Sequence, residues 1–220
     1  MAEQGQPCRA VELWRFLECE GIGLAEWAAV FNAEVKAAGA EVNILVGYSM
    51  GGRLALHALL ESPELWKKAV IISAHPGLQN EREKLERMAS DAEWAGLALT
   101  SNWGEFLQKW DAQSVLQSGV AVSPDPRMKL VNRRRAIARS FMEWSLGKQA
   151  DLRGLLDAVD CSILWLTGGK DEKFTGLAAD FVKGQPGCEH RAFPEYGHRL
   201  PWEAAEEFFQ AVHPWIEPSS

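Results

Sequence analysis

Four cysteines in 220 residues, with no CxxC spacing among them, are too few and too scattered for a disulfide framework or a cysteine-ligated zinc site. Cys8, Cys19, Cys161 and Cys188 are therefore expected to be reduced thiols in a cytoplasmic protein. No apolar run reaches the roughly 18 residues of a membrane span, and "MAEQGQPCRA" has no signal-peptide-like apolar stretch. Positive charge is also scarce: 23 Lys and Arg face 30 Asp and Glu, a formal charge of −7. That balance disfavours nucleic acid and anionic membrane as partners, so an anionic small molecule must be met by a local cluster of cations. Repeats and low-complexity segments are absent. What remains is a chain with 47% hydrophobic residues, enough for one domain with a core. Its oligomeric state is left open.

Strand-like and helix-like segments alternate along this chain, the pattern of an α/β fold. "CRAVELW" (8–14) reads as a short strand, "LAEWAAVFNAEVKAAG" (24–39) as an amphipathic helix ending at glycine, and "VNILVGYS" (42–49) as a buried strand. A helix over 51–63 stops at a proline, and a strand follows over 68–74. Residues 79–150 are rich in helix formers and charge and read as a helical cap insertion, leaving 1–78 and 151–220 as the core. Within the insertion, 118–127 is rich in Ser, Pro and Gly and reads as a loop. Alternation resumes with a strand over 162–168, a helix over 173–184, a weak strand over 189–194 and a last helix from Trp202 to Val212.

One segment carries chemistry. Gly47-Tyr48-Ser49-Met50-Gly51 fits G-x-S-x-G between a buried strand and a helix, the setting of a nucleophile elbow. A sharp strand-to-helix turn strains the serine backbone and asks for small flanking residues, here Gly47 and Gly51. The turn also exposes the hydroxyl beside a helix N-terminus that favours negative charge. A serine needs a histidine to take its proton and an acid to orient that histidine, in the order Ser, acid, His. Asp171 after "SILWLTGGK" and His198 in "PEYGHRLPWE" stand in those places. Glu172 competes with Asp171, and Asp171 could instead cap the helix that follows. His57, His75, His190 and His213 are less well placed: inside the elbow helix, before a proline, in a weak strand and near the C-terminus.

The elbow, "GGKDEKF" and "YGH" resemble the α/β-hydrolase superfamily. Within it, "GYSMGGRLALH" with "HPGLQNEREKLERMASDAEWA" (75–95) is similar to the 2-succinyl-6-hydroxy-2,4-cyclohexadiene-1-carboxylate synthases of menaquinone biosynthesis. The resemblance implies a lyase that eliminates pyruvate from 2-succinyl-5-enolpyruvyl-6-hydroxy-3-cyclohexene-1-carboxylate without metal or organic cofactor. Ser49 supported by His198 would take the ring proton, and Asp171 would fix the His198 tautomer. The polycarboxylate substrate implies arginine forks: Arg53 on the elbow helix, Arg87 in "LERMASD", and Arg134 within "NRRRA", chosen over Arg133 and Arg135. Trp110 would face the pocket, Tyr48 could lend a hydroxyl, and the Met50 backbone N–H would be an oxyanion donor. Family members also carry an "HGF"- or "HGxxG"-like loop ahead of the elbow that gives a second oxyanion donor. No such motif occurs here, which implies that the first strands are missing, and losing one donor typically costs ~10²–10³ in rate. The strand of residues 42–49 is then expected either to keep an unpaired edge or to pair with 8–14. A serine hydrolase acting on an ester, thioester or carbon–carbon bond, and a non-catalytic truncated homologue, are the alternative readings.

Overall fold

The computed structural model describes residues 8–19, 21–117, 125–156 and 159–217. Among these residues, four parallel strands form one sheet in the order β1 (Ile44–Tyr48), β2 (Lys68–Ile72), β3 (Ser162–Gly168) and β4 (Cys188–Phe193). Side chains alternate across it with period two, and both faces are covered. Ala69, Ile71, Ile163 and Trp165 point toward α1 (Leu24–Ala38), α2 (Met50–Glu61) and α7 (Glu172–Val182), where they meet Trp27, Leu54, Ala58 and Phe181. Val70, Ile72, Leu164 and Leu166 point the other way, onto Leu200, Val212 and Ile216. Full burial of each such side chain contributes about 1.5–3 kcal/mol, so the register is fixed from both sides.

Local signals in the sequence set the helix ends. The Glu26 carboxylate accepts the Gly23 N–H at 2.9 Å at the start of α1, and Gly39 closes the helix at φ +70°. Between β2 and β3 the chain runs through α3 (Glu81–Thr100), α4 (Trp103–Asp111), α5 (Asp125–Met128) and α6 (Arg134–Glu143). Asn80 caps α3 and Asn102 caps α4 with their side-chain oxygens. These helices share their own apolar cluster, built from Ala95, Ala98, Trp103, Phe106, Leu107 and Ile137.

Three expectations need correction. Residues 8–14 form no strand: a 3-10 helix spans Leu13–Leu17, because the Glu12 carboxylate accepts the N–H groups of Trp14 and Arg15 and nucleates a turn. Leu17 is then fully buried, and Arg139 of α6 donates to the Leu17 and Glu18 carbonyls. Among the described residues β1 pairs only with β2, so the unpaired-edge alternative is the one observed. The last helix is two, α8 (Leu200–Glu203) and α9 (Ala205–Ile216), broken where Ala204 leaves helical geometry at φ −128°, ψ 47°. The expected loop over 118–127 lies largely outside the described residues, and its end, from Asp125, already belongs to α5. Among the described residues, no helix is long and apolar enough to cross a membrane, and no group of His, Cys, Asp or Glu is arranged to hold a metal ion.

Candidate active site

Ser49, Asp171 and His198 each follow the C-terminal end of a strand, β1, β3 and β4 respectively, the edge at which parallel α/β sheets gather ligands. Ser49 sits at φ 51°, ψ −112°, a strained conformation for a residue with a side chain. Its N–H donates to the Ile72 carbonyl at 2.8 Å, and its own carbonyl accepts from Arg53 N–H in the first turn of α2. The turn closes because Gly47 and Gly52 touch. A Cβ on Gly47 would lie 2.5 Å from the Gly51 carbonyl oxygen, and one on Gly52 would lie 2.7 Å from Ala74 Cβ. Gly51, the second glycine of the motif, has open space where a Cβ would go. The tight position is thus one residue later than the motif suggests.

His198 is buried, with Nε2 3.0 Å from Ser49 Oγ and Nδ1 2.6 Å from Asp171 Oδ2. With Nδ1–H donating to Asp171, Nε2 accepts from the serine hydroxyl. Asp171 stands at the N-cap position of α7 but makes no capping hydrogen bond, so its carboxylate is given to the histidine rather than to the helix. Glu172, the competing acid, starts the helix exposed, while the ring nitrogens of His198 bond to Asp171 and Ser49. The histidine loop is clasped by Glu203, whose carboxylate accepts Gly197 N–H at 2.5 Å and Arg199 N–H at 2.9 Å, on either side of His198. Phe174 adds an edge contact, its ring centroid 4.6 Å from that of His198.

A cavity of about 1260 Å³ opens from Ser49 and runs along the outer edge of β1. Much of its wall is apolar, including Val11, Leu13, Trp14, Phe31 and Val46. Tyr48, Met50, Arg53, Arg87 and Trp110 all line it. Tyr48 packs between His198 and Trp202, and burial pushes its hydroxyl well above the usual phenol range, so it stays protonated. Met50 is the first residue of α2, where backbone N–H groups have no partner within the helix. Arg53 is buried and gives Nη1 to Gln149 Oε1 at 3.1 Å and Nη2 to the Trp144 carbonyl at 2.7 Å. Burial, with Arg87 nearby, lowers its pKa to about 9, which leaves it cationic at neutral pH. Arg87 forks both oxygens of Asp91 through Nε at 2.9 Å. Trp110 stands edge-on to Trp94 and Phe141.

Arg134 is elsewhere. Its Nη2 donates to the Ser101 carbonyl at 2.8 Å, its guanidinium lies over the Trp103 ring, and it does not line the cavity. Nor do Arg133, paired with Glu18, or the exposed Arg135. From the helices between β2 and β3, Arg127 lines the cavity along with Arg87; Arg199 joins them from the histidine loop, and Arg127 and Arg199 both bind Asp111 at the end of α4. Arg127, Arg199, Phe174, Gln149 and Glu203 were not singled out from the sequence. Only Arg199 had a usable signal, its place directly after His198.

The model of the alpha/beta hydrolase family matches residues 14–211. The chain belongs to the alpha/beta hydrolase family. Within this family, the 2-succinyl-6-hydroxy-2,4-cyclohexadiene-1-carboxylate synthase of Escherichia coli O1:K1 / APEC is 34% identical over 159 residues, 70% of this chain and 60% of that protein. Its counterpart from E. coli K12 is 33% identical over the same span. The match thus covers about 60% of these relatives' length. Among solved structures, MenH from S. aureus superposes with a TM-score of 0.81 at 20% identity, covering 96% of this chain and 79% of that one. An esterase from Exiguobacterium antarcticum superposes with a TM-score of 0.70 at 18% identity, covering 90% of this chain and 75% of that one.

Proposed function

We propose that this chain is a carbon–oxygen lyase of the synthase type, eliminating pyruvate from 2-succinyl-5-enolpyruvyl-6-hydroxy-3-cyclohexene-1-carboxylate in menaquinone biosynthesis. The supporting observation is the charge on the cavity wall. In a protein of net charge −7, the lining includes Arg9, Arg53, Arg87, Arg127 and Arg199 and, among the described residues, no carboxylate side chain. Asp91 and Asp111 sit behind the wall as counter-ions. Arg53 has only neutral partners among its hydrogen bonds, so its buried charge calls for an anion from the ligand. An ester hydrolase has no need of such a wall.

In this reading His198 takes the Ser49 hydroxyl proton while Ser49 Oγ takes the proton from the ring carbon. Electrons of the broken C–H bond form a new ring double bond, the existing ring double bond shifts by one position, and the carbon–oxygen bond to the enolpyruvyl group breaks. The departing enolate receives the proton held on His198 and becomes pyruvate, which restores the resting serine and histidine. Asp171 stabilises the transient imidazolium.

The test is pyruvate release from the enolpyruvyl substrate, coupled to lactate dehydrogenase, for wild type, Ser49→Ala and Arg53→Ala. The expected fall in kcat/KM is about 10³-fold or more for the serine and about 10²-fold for the arginine. Reaction of Ser49 with a fluorophosphonate confirms that the Arg53 variant keeps an assembled triad. A second reading, serine hydrolase, draws on the strained elbow, which suits covalent attack equally well. Fluorophosphonate labelling of a wild type that releases no pyruvate would favour it, and failure of both reactions would leave a non-catalytic homologue.

A further inference from the structure

His75 belongs to the "HPGLQN" stretch that set this sequence apart, yet the triad makes no use of it. It follows β2 on a loop that begins with Ser73 at φ +45°. His75 is 5% exposed, its ring stands edge-on to Phe174, and it lines the cavity that holds Ser49 and Arg53. Gly77 N–H donates to its Nδ1 at 3.0 Å, so in the neutral ring the proton resides on Nε2. Among the described residues Nε2 has no protein partner, and it is not among the polar atoms sealed from solvent, so it opens onto the cavity. The backbone is held as firmly: the His75 carbonyl accepts from Gln149 Nε2 at 3.1 Å, and Gln149 Oε1 in turn accepts from Arg53.

We propose that His75 is a substrate-binding residue whose Nε2–H donates a hydrogen bond to a carbonyl or carboxylate oxygen of the ligand, in the same cavity as the Arg53 guanidinium. The assignment rests on the reading of this cavity as the substrate site. The groups around the ring keep it a neutral donor. Burial, with Lys173 of α7, Arg153, Arg53 of α2 and Arg87 of α3, lowers its pKa to about 3. A neutral N–H next to fixed cations recognises an oxygen acceptor without adding a charge that would repel those arginines.

Two substitutions separate this role from a structural one. Asparagine at position 75 can accept the Gly77 N–H in place of Nδ1 but is too short to reach where Nε2 stands. Glutamine can place an amide N–H near Nε2 but gives up the bond to Gly77. Binding is read by quenching of the cavity tryptophans with 4-oxo-4-phenylbutanoate, a keto-carboxylate that needs no turnover. His75→Asn is expected to weaken binding about tenfold, and His75→Gln to return it to within about threefold of wild type. The ratio of wild-type to Asn affinities should be the same at pH 5.5 and pH 7.5, because the ring is neutral at both. Wild-type affinity in His75→Asn, loss in His75→Gln alone, or no binding to the wild type overturns the assignment. The expected order of affinities in a protein that releases no pyruvate would keep the donor and reject the synthase reading.

Discussion

Lowering the pH from 7.5 to 5.0 should destabilise this protein, chiefly through two histidines that fold neutral. His57, on α2 one turn beyond Arg53, is held at a pKa of about 4 by burial and by the Arg53 charge, and its Nε2 is buried with no hydrogen-bond partner. An unfolded histidine titrates near 6.5. At pH 5.0 most unfolded rings are therefore protonated while the folded ring is not, so the unfolded state binds more protons. Stability from this group is complete above pH 6.5 and is lost as the pH falls toward 4. The linkage relation gives a loss of about 2 kcal/mol at pH 5.0. His75, held near 3, adds about as much, and His190, lowered by burial, acts in the same direction. Against a typical stability of about 5–15 kcal/mol, that sum is large. Urea unfolding followed by the fluorescence of the ten tryptophans should show it as a falling midpoint. For each histidine the midpoint should shift by about 1 M, given the usual slopes. In His57→Leu roughly 2 kcal/mol of the pH-dependent loss should disappear. Equal losses in wild type and His57→Leu between the two pH values would refute the reasoning.

The elbow and the histidine loop give two further tests. Gly51→Ala should be tolerated or should stabilise by about 0.5–1 kcal/mol, since a helical Gly→Ala change into open space removes unfolded-state entropy. Gly52→Ala should destabilise by about 1–3 kcal/mol, because the new methyl meets Ala74 and the Gly47 backbone; thermal melts of the two variants side by side decide the matter, and equal Tm values would reject it. Glu203→Ala should slow fluorophosphonate labelling of Ser49 about tenfold while leaving the circular dichroism unchanged, since it frees the N–H groups on both sides of His198. Glu203→Gln, which can still accept one of those bonds, should recover part of the rate, and a labelling rate unaffected by either change would show that the clasp does not position the histidine.

Much of the sheet was legible because its signals are local. "SILWLTG" has the apolar run Ile163 to Leu166 at its centre, buried on both faces, and its strand bounds match the reading residue for residue. The hydrogen-bonded grouping of Ser49, His198 and Asp171 was legible for a related reason: each residue follows a strand end, so chain order and strand position are enough to bring the three together. The 8–14 segment failed because "CRAVELW" has strand composition, and a single carboxylate at Glu12 outweighs it by capping a turn. Arg134 failed for a rotational reason. Adjacent residues on a helix point about 100° apart, and the change from a 3-10 helix over Lys129–Arg133 to α6 shifts that phase, so no count along "NRRRA" tells which arginine faces the cavity. Arg127, which does line the cavity, lies outside the run altogether and is bound to Asp111.

The composition and the site can then be reconciled. Net charge describes the long-range field, which in water at physiological salt is screened within roughly 8 Å, whereas a ligand inside the cavity meets only what lines it. Excess acid elsewhere in the chain does not cancel the buried Arg53 charge, whose hydrogen-bond partners are neutral. Two carboxylates behind the wall, Asp91 and Asp111, pair with Arg87, Arg127 and Arg199, which holds those side chains in fixed directions before a ligand arrives. A carboxylate-bearing molecule entering such a site loses little further entropy to side-chain ordering. Removal of Asp111 would therefore weaken ligand binding even though it removes a negative charge, the reverse of what net charge alone would suggest.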